Sequence, residues 1–315
     1  MDNLTHGLAG AVMAGLCTTK EEQSRQLAQA RFWTFLLGAE VPDIDIVTRL
    51  SSDLDYLSLH RGPSHSLWGM ALLAGLITLF IRRIFPAVNL ARTYGYALAA
   101  IVVHVFLDLL TSYGTQVFYP WNLTKYSWDI LMIVDPLIIM ILGLGLYFAR
   151  VHSVQRRRFL WGAVMLVGLY IGGRVWVHHD LYHQVVTSLG TDYALKRVSV
   201  LPPVVGISNW NFIVETENSM FLGNVDLNRG VTTREVLPKP QVDPVVTAAM
   251  RAPAAEVFLG FARHPYLTYE KLGDRYLVKI VDMRYQVRNR SPFMVVVQLD
   301  RNLNVIDSGL GSRSE

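Results

Sequence analysis

Four apolar stretches crowd the first 180 residues, and they limit the fold more than any other feature. Residues 67–81, 94–110, 130–149 and 159–177 are almost uninterrupted hydrocarbon. Three of them approach the roughly 20 residues that cross a bilayer, and the first is somewhat shorter. Only 17% of the chain is charged, against about 25% in ordinary soluble domains, and the deficit is concentrated in this region. The sequence therefore predicts a membrane α-helical bundle over residues 1–180, followed by a soluble α+β domain over 181–315. Two weaker segments, 4–17 and 32–41, precede the strong ones and bring the expected membrane-associated helices to about six. They are short enough to be tilted or partly inserted helices, or a packed hairpin. Gly7, Gly10, Gly15 and Gly38 would let such helices approach closely.

Positive charges set an orientation. Lys20, Arg25, Arg31, Arg82, Arg83, Arg92, Arg150, Arg156, Arg157 and Arg158 fall in loops on one side of this layout, and only Arg49, Arg61 and Lys125 on the other. The excess marks the cytoplasmic side. This predicts a multi-pass protein of a bacterial inner membrane with its C-terminal domain outside the cytoplasm. The opening "MDNLTHGLAG" lacks a basic n-region, so it is expected to be mature structure and not a cleaved signal. A net charge of +4 without a Lys/Arg-rich recognition segment argues against nucleic acid as a partner. The bilayer is the expected partner, and the oligomeric state is open. A single cysteine, Cys17, excludes an intramolecular disulfide and an all-cysteine zinc site.

Against this background, the histidines and aspartates stand out. His6 in "NLTH", Asp43 and Asp45 in "PDID", His60 and His65 in "HRGPSH", and His104 and Asp108 in "HVFLD" all fall at one face of the predicted membrane region. His104 and Asp108 are spaced i, i+4, so a helix puts both on one face, where they can share an ion or simply pair with each other. Ionisable groups inside membrane segments are costly and usually functional. One of Asp43 and Asp45 is expected as a ligand, bridging in a two-metal site, with Glu40 a weaker candidate. Arg61 is a candidate for holding a substrate anion, against the plain reading of a polar turn. Asp135, before Pro136, is either a catalytic carboxylate or a helix N-cap. Residues 111–114 are candidates to line the entrance. His178, His179 and His183 read better as an interfacial segment than as ligands, and Trp121, Tyr126 and Trp128 as an aromatic belt.

In the C-terminal region, residues 211–217, 275–285 and 293–299 show strand character. Residues 244–250 and 254–262 look helical. Gly223, 228–230 and 289–292 are expected turns, and Pro202-Pro203 and 238–244 linkers.

The stretches "MDNLTHGLAG", "PDID", "HRGPSHS" and "HVFLDLLTSYGT", in this order, resemble a family of bacterial inner-membrane proteins described as metal-dependent hydrolases, with a LexA-regulated prototype. The resemblance covers about residues 1–180. It implies His6, Asp43, His60, His65, His104 and Asp108 as the metal set; the residues themselves offer Asp45, Arg61 and Asp135 as catalytic candidates. A looser likeness is to zinc-dependent phospholipase C and related nucleases, which also use an Asp, a His and an H-x-x-x-D pair in that order. The expected activity is hydrolysis of an ester or phosphoester, in a lipid or lipid-linked molecule. The expected ion is zinc, with manganese as the alternative. The rival expectations are a non-catalytic metal site or transporter, and a membrane-anchored binding module working through its C-terminal domain.

Overall fold

The computed structural model describes residues 1–18, 24–203, 206–239, 243–285 and 293–311. They form two compact units: Met1–Asp45 with His60–His178, and Ile46–Leu59 with His179–Glu315.

The first unit is helical. Its helices are α1 (Asn3–Leu16) and α2 (Arg25–Glu40), then, after α3 (Asp53–Leu59) of the second unit, α4 (Leu67–Ile84), α5 (Leu90–Leu109) and α6 (Pro136–Val151), and most of α7 (Arg156–Gly190). Among the described residues, Leu67–Ile84, Leu90–Leu109 and Ser153–Gly190 are long and apolar enough to cross a membrane, and Pro136–Val151 is a shorter apolar helix. Large side chains on these helices stay exposed within the protein, such as Leu72, Leu76, Leu79 and Phe80 on α4. Lipid covers such a face at no hydrophobic cost. Buried between the helices are two apolar clusters, one around Leu107, Leu131, Ile138 and Leu160 and one around Ala74, Ile81, Ala97 and Ile101.

Glycines do set the helix spacing at two crossings. A Cβ on Gly10 would lie 2.8 Å from the Ala39 Cβ and 2.9 Å from the Phe35 carbonyl oxygen. One on Gly38 would lie 2.7 Å from the Ala100 Cβ and 2.8 Å from the Ala97 oxygen. Small residues thus bring α1, α2 and α5 into backbone contact, and this is what carries His6, the end of α2 and His104 to one place.

Several boundaries differ from expectation. The apolar run 130–149 is not one helix. Asp135 caps α6 through Leu137 N and Ile138 N at 3.1 and 3.3 Å, and Pro136 takes the first helical position, which proline favours. Ile130 and Leu131 instead donate their amides to the Leu110 carbonyl at 2.8 and 2.9 Å. The expected loop 18–31 contains the first two turns of α2, so Arg25 and Arg31 are helical; Lys20 lies outside the described residues. The last span continues as helix through His178, His179 and His183 to Gly190.

The second unit contains two four-stranded antiparallel meanders. The first is β1 (Arg197–Leu201), β2 (Asn209–Glu215), β3 (Ser219–Asp226) and β4 (Gly230–Pro238). After α8 (Pro244–Met250) and α9 (Pro253–Phe261) comes the second, β5 (Pro265–Leu272), β6 (Arg275–Asp282), β7 (Met294–Asp300) and β8 (Val305–Leu310). Alternating residues such as Val278 and Ile280, or Val295, Val297 and Leu299, are fully buried, as period-2 patterning requires. Gly223 is not a turn. It sits at an irregularity in the β3–β4 pairing, where a Cβ would collide with the Thr232 carbonyl oxygen at 2.2 Å and the Phe212 ring at 2.6 Å. The expected turn at 228–230 is present, with Gly230 at φ +73°. The one at 289–292 lies outside the described residues. α3, drawn from the loop between Asp45 and His60, packs on α9 within this second unit.

Candidate metal centre

Four short elements of the first unit converge. Asp43 and Asp45 lie on a 3₁₀ segment, Val41–Leu50, that follows α2 directly. His60 and His65 flank the Arg61–Ser64 turn, whose Pro63–His65 end is also 3₁₀. His104 and Asp108 lie one turn apart near the end of α5, and His6 lies in the first turns of α1. His6, His65, His104 and Asp108 are fully or almost fully buried.

The spacing of their donor atoms is informative. His65 Nε2 is 3.2 Å from His104 Nε2, 3.1 Å from Asp108 Oδ2 and 3.5 Å from Asp43 Oδ1. His104 Nε2 is 3.4 Å from Asp108 Oδ2 and 3.6 Å from Asp43 Oδ1. Donors held about 2.0–2.1 Å from one ion at tetrahedral angles are about 3.4 Å apart. Five of the six edges of such a tetrahedron are therefore in place. Asp43 Oδ1 is buried without a hydrogen-bond partner, as are both nitrogens of His6. Buried polar atoms are rarely left so, and a cation would satisfy the carboxylate oxygen. The residues fit a divalent ion.

The surrounding groups orient the two imidazoles toward that point. His104 Nδ1 is 2.6 Å from the Ala39 carbonyl oxygen, which can only accept. The proton therefore sits on Nδ1, and Nε2 presents its lone pair to the cluster. Ser64 donates to Asp45 Oδ2 at 3.0 Å, so its oxygen is left to accept from His65 Nδ1 at 2.9 Å. His65 thus also presents Nε2. Burial pushes the His65 imidazole down to about 3, which keeps it in the neutral, ligating form.

Asp108 is held from its other oxygen. Arg61 Nη2 contacts Oδ1 at 2.8 Å, while Arg61 Nη1 donates to Thr111 Oγ1 at 3.1 Å and the guanidinium lies over the Tyr113 ring. The Met1 main-chain nitrogen also contacts Oδ1, and His6 Nε2 lies 3.4 Å from it. Arg61 adopts φ +59°, a strained conformation for a side-chain-bearing residue. His6 stacks on His104 with ring centroids 3.7 Å apart. A second group, Asp43, Asp45 and His60, shares Asp43 with the first. In it, His60 Nδ1 is 2.8 Å from Asp45 Oδ1.

Six of the seven expected His and Asp residues fall in these two groups; His6, expected as a ligand, is in neither and instead stacks on His104 beside Asp108, with Arg61 also adjoining Asp108. Asp135 is not in either group. Its hydrogen bonds go to the start of α6 and to the Tyr170 hydroxyl at 2.9 Å. Two parts of the centre escaped the sequence reading, the Ala39 carbonyl and Ser64, while Thr111, expected at the entrance, accepts from Arg61. Ser64 stood inside a quoted motif, while a main-chain carbonyl leaves no trace in residue types.

The second unit contains a separate buried cluster that sequence also missed. His264 Nδ1 lies 2.7 Å from Glu215 Oε1 and its Nε2 lies 2.8 Å from Ser199 Oγ, while Arg263 donates to the same hydroxyl at 2.7 Å. The connectivity is that of a nucleophile–base–acid relay. Ser199, however, is mid-strand, 2% exposed and already bonded to a guanidinium, so the cluster reads as a tie between β1, β2 and the start of β5. Burial pushes the His264 imidazole below its ordinary 6.5, against the pull of Glu215. Burial opposes ionisation of Glu215, but hydrogen bonds from His264 and Lys239 outweigh it and hold the carboxyl at about 2. Both folded-state values are depressed. Each group therefore contributes stability that is present above its ordinary value and lost as pH falls toward the folded one. The C-terminal domain is expected to melt lower at pH 5 than at pH 7 through His264, the Glu215 window lying below pH 5, and the His264→Gln variant is expected to flatten that slope. A level wild-type profile across this range would contradict the assignment.

Comparisons with known proteins agree with this picture. A profile of the family described as YdjM inner membrane protein matches residues 1–181. A profile described as the YfhP C-terminal alpha/beta plait domain matches residues 244–315. The chain is 24% identical over 323 residues to a Bacillus subtilis protein named "Uncharacterized protein YfhP", covering 99% of this chain and 95% of that one. No solved structure matches. With more than half of its length matched, apolar helices long enough to span and a buried His/Asp cluster able to hold a metal, this membrane protein belongs to the YdjM inner membrane protein family.

Proposed function

We propose that the protein is a membrane-bound metal-dependent hydrolase acting on an ester, and specifically a phosphoester of a lipid or lipid-linked molecule, at the outer face of the inner membrane. Asp43, His65, His104 and Asp108 would hold the ion. Zinc is the ion best matched to two imidazoles and two carboxylates, with manganese the alternative. When bound, such an ion supplies Lewis acidity and lowers the pKa of a coordinated water to about 7. The observation that carries a hydrolytic reading is the Asp45–His60 pair. It belongs to a donor group that shares Asp43 with the ligand set, so a proton acceptor would adjoin an ion held there.

The chain's own residues have distinct tasks in this reading. Asp45 orients His60 through Nδ1, and His60 Nε2 would take a proton from the attacking water and return it to the leaving-group oxygen. Asp45 also accepts from the Arg61 amide at 3.0 Å and from Ser64, which couples the acid–base pair to the ligand His65. Arg61 fixes Asp108 and offsets the negative charge of the two ligand carboxylates. The periplasmic placement rests on the loop charges, and the lipid character on the site's position at the end of membrane helices.

The test is hydrolysis of a panel of phosphoesters in mixed micelles by the full chain, with and without a chelator. Turnover should be chelator-sensitive and restored by zinc or manganese. Asp45→Asn should lower kcat by about 100-fold or more, within the range of acid–base catalysis, while metal content stays at the wild-type level. A second reading also has an observation behind it, because four protein ligands complete a tetrahedron, as in structural zinc sites. Metal that raises the melting temperature without turnover of any ester would favour that reading.

A further inference from the structure

The last part of α7 carries histidines that the metal centre does not use. The helix continues past the apolar run that ends at Val177, and from His179 on it belongs to the second unit. Residues 178–183, read from sequence as an interfacial segment, are therefore ordered helix. His179 and His183 are both exposed on it. A spacing of four puts them on one face, and their ring centroids lie 4.4 Å apart at an interplanar angle of 74°. We propose that this pair binds a divalent transition-metal ion, at a site separate from Asp43, His65, His104 and Asp108. The site is independent of the hydrolase reading.

Three observations carry it. The first is distance. Two imidazole nitrogens bound to one ion at about 2.0–2.1 Å and a tetrahedral angle put their ring centroids roughly 5 Å apart. The observed 4.4 Å is a small side-chain rotation away from that. The same spacing is the one by which a helix presents two imidazoles to zinc. The second is availability. Among the described residues, the partners of these rings are aromatic: His179 and His183 meet each other, and His183 meets Tyr182 with centroids 6.1 Å apart. His60 and His264, in contrast, are tied to carboxylates by hydrogen bonds. A nitrogen of each exposed ring can therefore turn to an ion without breaking a hydrogen bond. The third is room and charge. An open groove of about 460 Å³ follows the same helix from Asp180 and His183 to Ser188, with Gly230 and Val231 at the start of β4 as its other lining. Asp180 Oδ2 accepts from Gln184 at 2.9 Å, so a carboxylate stands on the groove wall next to His183 and favours a cation there. The groove leaves space for the water or small anion that completes the shell of an ion held by two protein ligands. Imidazole suits zinc, nickel and copper, and the affinity of such sites peaks at Cu²⁺. A two-ligand site is open and exchangeable, unlike a closed four-ligand structural site, and it releases its ion on desalting.

The experiment uses the full chain in detergent, purified with a tag free of histidine and carrying His65→Ala and His104→Ala, so that two ligands of the first centre are gone. Equilibrium dialysis against Ni²⁺ and Cu²⁺ measures binding with free metal present, and electron paramagnetic resonance of the Cu²⁺ form counts the coordinated nitrogens. The expected result is one saturable equivalent with a two-imidazole signature. Binding should weaken by about tenfold or more in His179→Ala and in His183→Ala, as loss of a ligand exceeds the loss of a partner outside the shell. Both residues are exposed, so these variants keep the fold, and His183→Gln repeats the test if an alanine chain misfolds. Absence of saturable binding in the His65→Ala/His104→Ala background overturns the proposal, as does unchanged binding by a folded His183→Ala or His183→Gln chain. Either failure leaves the Asp43, His65, His104 and Asp108 centre untouched, and loss of that centre leaves this site standing.

Discussion

Replacing His104 with alanine should abolish metal-dependent hydrolysis while leaving the helices assembled. In the proposed centre the imidazole would supply one corner of the donor tetrahedron, and its Nε2 stands 3.2–3.6 Å from the other three donor atoms. Loss of an orienting partner outside the ligand shell costs about 10–100-fold in metal affinity or activity, so loss of a ligand should exceed the upper end of that range. His65→Ala should match it. A His104→Ala chain with wild-type turnover would remove His104 from the centre. Wild-type metal content in this variant without turnover would take His104 out of the ligand set while leaving it needed for turnover.

Gly38→Leu should be strongly damaging to the centre although it lies outside the ligand set. The new side chain would start 2.7 Å from the Ala100 Cβ and 2.8 Å from the Ala97 oxygen, where the nearest atoms include rigid backbone. Over-packing typically costs 1–3 kcal/mol and occasionally more. The only relief is for α2 to move off α5. That displaces the Ala39 carbonyl, the next residue along, from His104 Nδ1. Lower thermal stability in detergent and weakened metal binding should therefore appear together. Gly75→Leu is the control, since nothing lies within 4 Å of its added Cβ, and it should leave both unchanged. Equal behaviour of the two variants would mean that the α2–α5 contact does not support the centre.

These effects trace to residues of unequal legibility. His104 and Asp108 could be read as partners because helical periodicity places i and i+4 on one face. Their meeting with Asp43 and His65 was suggested only by topology, through motifs at a common membrane face. Glycines that permit helix contact were visible as glycines, but which backbone each would meet was not. Asp135 shows the limit of residue type. A carboxylate before proline suits both catalysis and capping, and only the tertiary fold gives it α6 and Tyr170 as partners. The run 130–149 looked like one span because hydropathy ignores where backbone amides bond, and Ile130 and Leu131 bond back to Leu110. In the C-terminal domain, β2, β6 and β7 were foreseen within a few residues. β4 and β8 were not, since both keep large exposed stretches that blur alternation. The link between Ser199, Glu215 and His264 joins residues up to 65 positions apart, and no local pattern reports such a contact.

The account stands or falls on metal bound by the four-residue set. Metal analysis by mass spectrometry should compare the detergent-purified wild type with a His65→Ala/His104→Ala variant, both monodisperse. The account predicts stoichiometric zinc or manganese in the wild type and only background in the variant. Background metal in both after reconstitution, or equal metal in both, would contradict it.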